Sequence, residues 1–95
     1  MPKVSVCLPC RNAAATLPAA LGSLLGQTLE DFEVLAVDDG SEDCTWDLLQ
    51  YYARHDARIR PLRQPHTGVA LAANAAVECC RAPYIARMDA DDTAL

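Results

Sequence analysis

Four short apolar runs, each parted from the next by a stretch with helical spacing, leave this chain very few folds. Val4-Ser5-Val6-Cys7-Leu8 and Glu33-Val34-Leu35-Ala36-Val37 predict strands buried on both faces. Pro9 is expected to end the first, and Asp38-Asp39-Gly40-Ser41 to close the second. Arg58-Ile59-Arg60-Pro61-Leu62-Arg63 alternates charge with apolar residues, and a proline cannot donate to a ladder, so this run belongs at a sheet edge. Tyr84-Ile85-Ala86-Arg87-Met88 reads as a fourth, buried strand. Between them, Leu17, Leu21, Leu24 and Leu25 follow helical spacing, with Thr16 as N-cap, Pro18 in the first turn and Gly26 at the stop. Leu48, Leu49 and Tyr52 mark the apolar face of a second helix, capped by Asp43 or Thr45. Val69, Ala73, Ala76, Val77 and Cys80 mark that of a third, opened by Thr67-Gly68 and stopped by Ala82-Pro83.

The resulting β-α-β-α-β-α-β pattern with short connections is the signature of an α/β fold: a three-layer, Rossmann-like parallel sheet with flanking helices. Right-handed crossovers bring all the strand ends to one rim. With the third strand at an edge, the strand order is 3-2-1-4. The crevice between strands 1 and 4 would then be lined by residues 9–12, 38–39 and 89–92. In open α/β sheets that rim is where ligands bind.

Ninety-five residues allow one domain, and an apolar fraction of 52% excludes disorder. No apolar run approaches the roughly 20 residues of a membrane span. Met1-Pro2-Lys3-Val4 carries no secretory pattern, so a cytoplasmic location is expected. A net charge of −5, with no Lys/Arg cluster, argues against nucleic-acid binding. The five cysteines are read as reduced thiols serving as small core or surface residues. Cys7-Leu8-Pro9-Cys10 has redox-pair spacing, but it falls in a strand rather than at a helix N-terminus. The vicinal Cys79-Cys80 is a poor zinc pair.

Asp89, Asp91 and Asp92 follow the fourth strand. Carboxylates so crowded repel one another unless a cation sits among them. Hard cations such as Mg²⁺ and Mn²⁺ take oxygen ligands and also hold phosphates. Read alone, the same residues serve equally as a solvated turn. Asp38-Asp39-Gly40-Ser41 supplies a carboxylate for a base N–H, or is an ordinary turn. Arg11 and Asn12 offer a cation and an amide to a nucleotide, or are exposed loop residues. A phospho-acceptor domain would need its acidic pair after strand 1 and a late lysine, yet the only lysine is Lys3. A dinucleotide-binding fold would need Gly-x-Gly-x-x-Gly after strand 1, which is absent.

Taken in order, these motifs resemble the inverting GT-A glycosyltransferases of family 2. They run from Val4 to Asn12, then Ser23-Leu24-Leu25-Gly26-Gln27-Thr28, then Asp31-Phe32-Glu33-Val34 to Val37-Asp38-Asp39-Gly40-Ser41. The series continues through Gly68 and Asn74 to Tyr84-Ile85-Ala86-Arg87-Met88-Asp89-Ala90-Asp91-Asp92. The resemblance implies that Pro9 and Arg11 wall the uridine and that Asp39 accepts from the uracil ring. It implies that Asp89-Ala90-Asp91 is the D-x-D motif, with Asp89 near the nucleotide sugar as well as the metal and Asp91 ligating Mn²⁺ or Mg²⁺. Two positions depart from the family: Arg11 stands where many members carry an aromatic, and Ala73 where many carry arginine.

The family's later half supplies the acceptor site and the general base. Residues 1–95 are therefore expected to be the N-terminal nucleotide-sugar-binding part of a GT-A domain, truncated after the D-x-D motif and inactive alone. The expected parent is a nucleotide-sugar-dependent glycosyltransferase that moves sugar from a UDP-sugar to an acceptor hydroxyl with inversion. The alternative is a non-catalytic nucleotide-binding or assembly module. An unpaired fourth strand predicts strand-edge homodimerisation, and the parent is expected in the cytoplasm or on the cytoplasmic face of a membrane.

Overall fold

The computed structural model describes residues 2–26 and 31–88, without the side chains of residues 69 and 70. Its elements follow the expected order: β1 (Val4–Cys10), α1 (Leu17–Leu25), β2 (Phe32–Asp39), α2 (Thr45–His55), β3 (Ile59–Gln64), α3 (Val69–Glu78) and β4 (Tyr84–Arg87). They form one four-stranded sheet of order β3-β2-β1-β4, with every pairing parallel. Expected and observed topology agree.

Alternation along β1 and β2 divides the core into two layers. Val6, Leu8, Val34 and Ala36 face α1 and α2, packing against Leu17, Leu21, Leu24 and Leu49. Cys7, Leu35 and Val37 face α3 and pack against Ala72 and Ala76. Every residue of β2 is buried, as a central strand covered on both faces requires.

Four expectations are corrected. First, Pro9 does not end β1, which runs on to Cys10 in register with Asp38. Met88 N donates to Cys7 O at 3.0 Å, so Cys7, and by alternation Pro9, directs its backbone toward β4. The β1–β4 ladder stops at Cys7–Arg87, so the N–H that Pro9 lacks is not needed by it. Second, Asp38 and Asp39 lie inside β2 rather than after it, paired with Arg63 and Gln64 of β3. Third, α3 buries Ala72 and Ala76 while Leu71 and Val77 are exposed, so its inner face is turned from the one expected. An alanine-rich helix is weakly polarised, and the smallest side chains allow the closest approach to the sheet. Fourth, β4 is exposed along its length, with Tyr84 at 71% and Ile85 at 51%. It pairs with β1 on one side, and among the described residues no strand covers the other. An apolar run thus signalled a strand without signalling burial.

The helix caps are also more indirect than expected. Thr16 occupies the N-cap of α1 but makes no capping bond; its hydroxyl donates back to Ala13 O at 3.4 Å. Cys44 holds the N-cap position of α2, and the Asp43 carboxylate accepts from the Thr45 amide at 2.9 Å.

Candidate functional site

Because all four strands run in parallel, their carboxyl ends share a rim, and the polar loops after β1 and β2 meet there. Asn12, in the left-handed region at φ 49°, binds the β2–α2 loop twice. Its amide donates to Ser41 Oγ at 2.9 Å, and its Oδ1 accepts from the Glu42 amide at 2.7 Å. Ala13 N donates to the buried Thr45 hydroxyl at 2.8 Å. These bonds hold residues 9–13 against residues 38–45.

The neighbouring aspartates point to opposite faces. Asp38 faces the α1/α2 layer, fully buried. Its Oδ1 accepts from the Ser41 amide and hydroxyl, while Oδ2 has no hydrogen-bond partner and lies 3.8 Å from Arg63 Nε. Asp39 faces the α3 layer and ties down the loop before that helix. Its Oδ1 accepts from Gln64 Nε2 and the Thr67 amide, each at 2.8 Å, and from Thr67 Oγ1 at 3.3 Å. Its Oδ2 accepts from His66 Nδ1 and the Gly68 amide, each at 2.9 Å. Burial raises the pKa of this carboxyl, but the donated hydrogen bonds outweigh burial and hold it well below the usual range. A carboxylate has about four lone-pair sites, so Asp39 is saturated by its own chain.

Pro9, Cys10, Arg11, Asp39 and Ala72 line one cavity of about 50 Å³ at this rim. Three of the four nucleotide-binding candidates, Pro9, Arg11 and Asp39, therefore come together. The fourth, Asp89, and the metal candidates Asp89 and Asp91 lie outside the described residues, as does Asp92. Met88, which precedes them, is buried and bonded to Cys7 O. Among the described residues no cluster of three or more His, Cys, Asp or Glu could hold a metal. Ligand pockets usually measure roughly 300–1,000 Å³, so this cavity holds only the edge of a nucleotide. A larger one, about 270 Å³, lies at the opposite end of the strands among Pro2, Asp31, Phe32, Glu33, Ala57, Arg58 and Arg81. It is remote from the rim where the fold places ligands.

Gln64 and His66 were not singled out in the sequence. The available signal was positional: they follow an edge strand paired with β2, so they end beside the acidic residues that terminate it.

An open parallel sheet with its order reversing beside β1, and with polar loops gathered at that reversal, defines a doubly wound nucleotide-binding class. The family described as Glycosyl transferase family 2 matches residues 5–95, and the chain belongs to it. It is 41% identical over 93 residues to chondroitin synthase of Escherichia coli, covering 97% of this chain and 13% of that one. S. aureus TarS 1-349 in complex with UDP-GlcNAc superposes with a TM-score of 0.89 at 27% identity, over 96% of this chain and 27% of that one. The mannosyltransferase PcManGT from Pyrobaculum calidifontis, in complex with GDP-Man and Mn²⁺, gives 0.87 at 25% identity, over 95% of this chain and 28% of that one. The chain thus spans under a third of each of these proteins. No helix among the described residues is long and apolar enough to cross a membrane.

Proposed function

We propose that residues 1–95 form the nucleotide-sugar-binding part of a glycosyltransferase that takes a UDP-sugar and passes the sugar, with inversion, to an acceptor hydroxyl. The observation that carries this is the meeting of Pro9, Arg11 and Asp39 in one cavity at the sheet's carboxyl rim. Pro9 offers an apolar wall. The exposed Arg11 offers a planar cation to the base or the diphosphate. Asp39 offers a carboxylate that stays ionised at neutral pH. Since its lone pairs are already used, a base N–H takes the place of one existing donor. His66, with its side chain 53% exposed, is the donor free to yield. The UDP-GlcNAc bound by the TarS relative supports the donor class, and the Mn²⁺ of the Pyrobaculum relative supports a divalent cation. Asp89 and Asp91 are the residues of this chain that would hold it. Such a cation supplies charge neutralisation of the departing diphosphate. The general base is expected beyond Leu95, so no residue of this chain is assigned that role.

Calorimetric titration of UDP with Mn²⁺ tests this reading, with Asp39→Ala and Asp91→Ala as comparisons. Wild type should release heat and both variants should bind more weakly. Equal binding by all three would remove the assigned roles. No binding by folded wild type would favour the second reading, an assembly module, for which the exposed Tyr84 and Ile85 of β4 speak.

A further inference from the structure

Three of the five cysteines meet under the α3 face of the sheet, remote in sequence but close in space. Cys7 is buried on β1, 2% exposed, and its sulfur lies 3.6 Å from that of Cys80, just after α3. Cys79 and Cys80 pack against the same cluster. All five thiols are free.

The placement of Cys80 is held from several directions. The amides of Cys79 and Cys80 donate to Ala76 O and Val77 O at 3.1 Å, finishing the helix. Arg60 Nη1 donates to Cys79 O at 2.9 Å. The next amide, Arg81 N, donates to the buried Glu33 carboxylate at 2.7 Å, and Ala82 N donates to Ser5 Oγ at 3.1 Å. Glu33 also accepts from Ser5 Oγ at 2.5 Å. The segment carrying Cys80 is thereby fastened to β1, β2 and β3 at once. Its thiol, which donates to Ala76 O at 3.2 Å, is set over Cys7.

We propose that Cys7 and Cys80 form an oxidative modification site, a dithiol poised to close into a disulfide that staples α3 to β1. Closure needs the two sulfurs to approach from 3.6 Å to bonding distance, a movement within reach of side-chain rotation. The oxidant class is a hydroperoxide. Cys80, the half-buried partner, attacks the peroxide oxygen as its thiolate, giving a sulfenic acid and water. The Cys7 sulfur then attacks the sulfenic sulfur, and the oxygen leaves as a second water. In sum, two thiols lose two protons and two electrons, and one hydrogen peroxide becomes two waters. Burial pushes the Cys7 thiol up to about 12, helped by its hydrogen bond to Cys80, which suits Cys7 to the resolving role and not to first attack. A bond between Cys79 and its neighbour Cys80 would instead close a small ring that the helix-end backbone does not accommodate. The bridge closes a long loop and so restricts the unfolded chain.

The test oxidises the reduced 95-residue chain with hydrogen peroxide, alkylates the remaining thiols and maps the peptides by mass, with thermal unfolding measured in parallel. A Cys7–Cys80 linked peptide is expected, together with a raised Tm that dithiothreitol reverses. Cys79→Ser should keep both effects. Cys80→Ser, a half-buried and near-isosteric change, should lose both while its circular dichroism shows a folded chain. A Cys79–Cys80 link, a chain-to-chain link through the exposed Cys44, unlinked sulfinic acid at Cys80, or a Tm rise retained in Cys80→Ser would each overturn the proposal.

Discussion

A side-chain carbon at position 40 would meet the His66 amide nitrogen at 2.5 Å and the His66 Cβ at 2.9 Å, so Gly40 and His66 fit together only because residue 40 is glycine. Gly40 also sits at φ 69°, where a Cβ costs about 1–2 kcal/mol before any clash. Gly40→Ala should therefore lower unfolding free energy by at least about 2 kcal/mol in urea titrations. It should also displace residues 64–68, seen as shifted amide signals at Thr67 and Gly68. An unchanged midpoint with unchanged signals would refute this contact.

Asp39 is the other anchor of that loop. Asp39→Asn leaves one oxygen for donors that now occupy two, and turns an amide group toward N–H groups. A loss of about 1–3 kcal/mol is expected, together with weaker UDP binding. Replacing His66 with alanine removes a donor that is half in solvent, so the stability change should stay below about 1 kcal/mol. Equal destabilisation by both variants would show that the carboxylate is not the centre of the network.

Glu33 makes stability depend on acid pH. Burial raises its pKa, but hydrogen bonds from Ser5, the Arg81 amide, Arg60 and the Arg81 side chain more than offset this and leave it at about 2 against an ordinary 4.5. A carboxyl with a lower pKa in the folded state stabilises fully above its unfolded value and loses that contribution as pH falls. The window is therefore pH 4.5 down to about 2, and the contribution at neutral pH is about 3 kcal/mol. Glu33→Gln should be less stable than wild type at pH 7, with the gap shrinking across that window. A gap constant with pH would assign the loss to packing instead.

The open edge of β4 predicts self-association. Light scattering should show mass rising with concentration, and Ile85→Lys should return the chain to monomer with little change in unfolding midpoint. Ile85 is half in solvent, so the substitution removes little buried surface. Monomer behaviour at millimolar wild type would dismiss this edge as a pairing surface.

Periodicity alone carried the sheet order and the convergence of residues 9–12 with 38–39. The β-α repeat admits one handed crossover, and Pro61 marks an edge, so short-range chemistry fixes the topology. Which face of α3 is buried was not legible, because an alanine-rich helix is apolar on every side. Nor was the exposure of β4, because apolar composition does not report which neighbours a strand has.

The acidic pair shows where the two sources part. The sequence by itself determined that Asp38 and Asp39 end the second strand and, being adjacent in a strand, face opposite ways. Only the tertiary structure decided that Asp38 is left beside Arg63 with one oxygen unpaired, whereas Asp39 is filled by Gln64, His66, Thr67 and Gly68. The physical reason is that a carboxylate's partners come from wherever neighbouring strands and loops deliver N–H groups. That depends on packing between segments far apart in the chain, which no local pattern records.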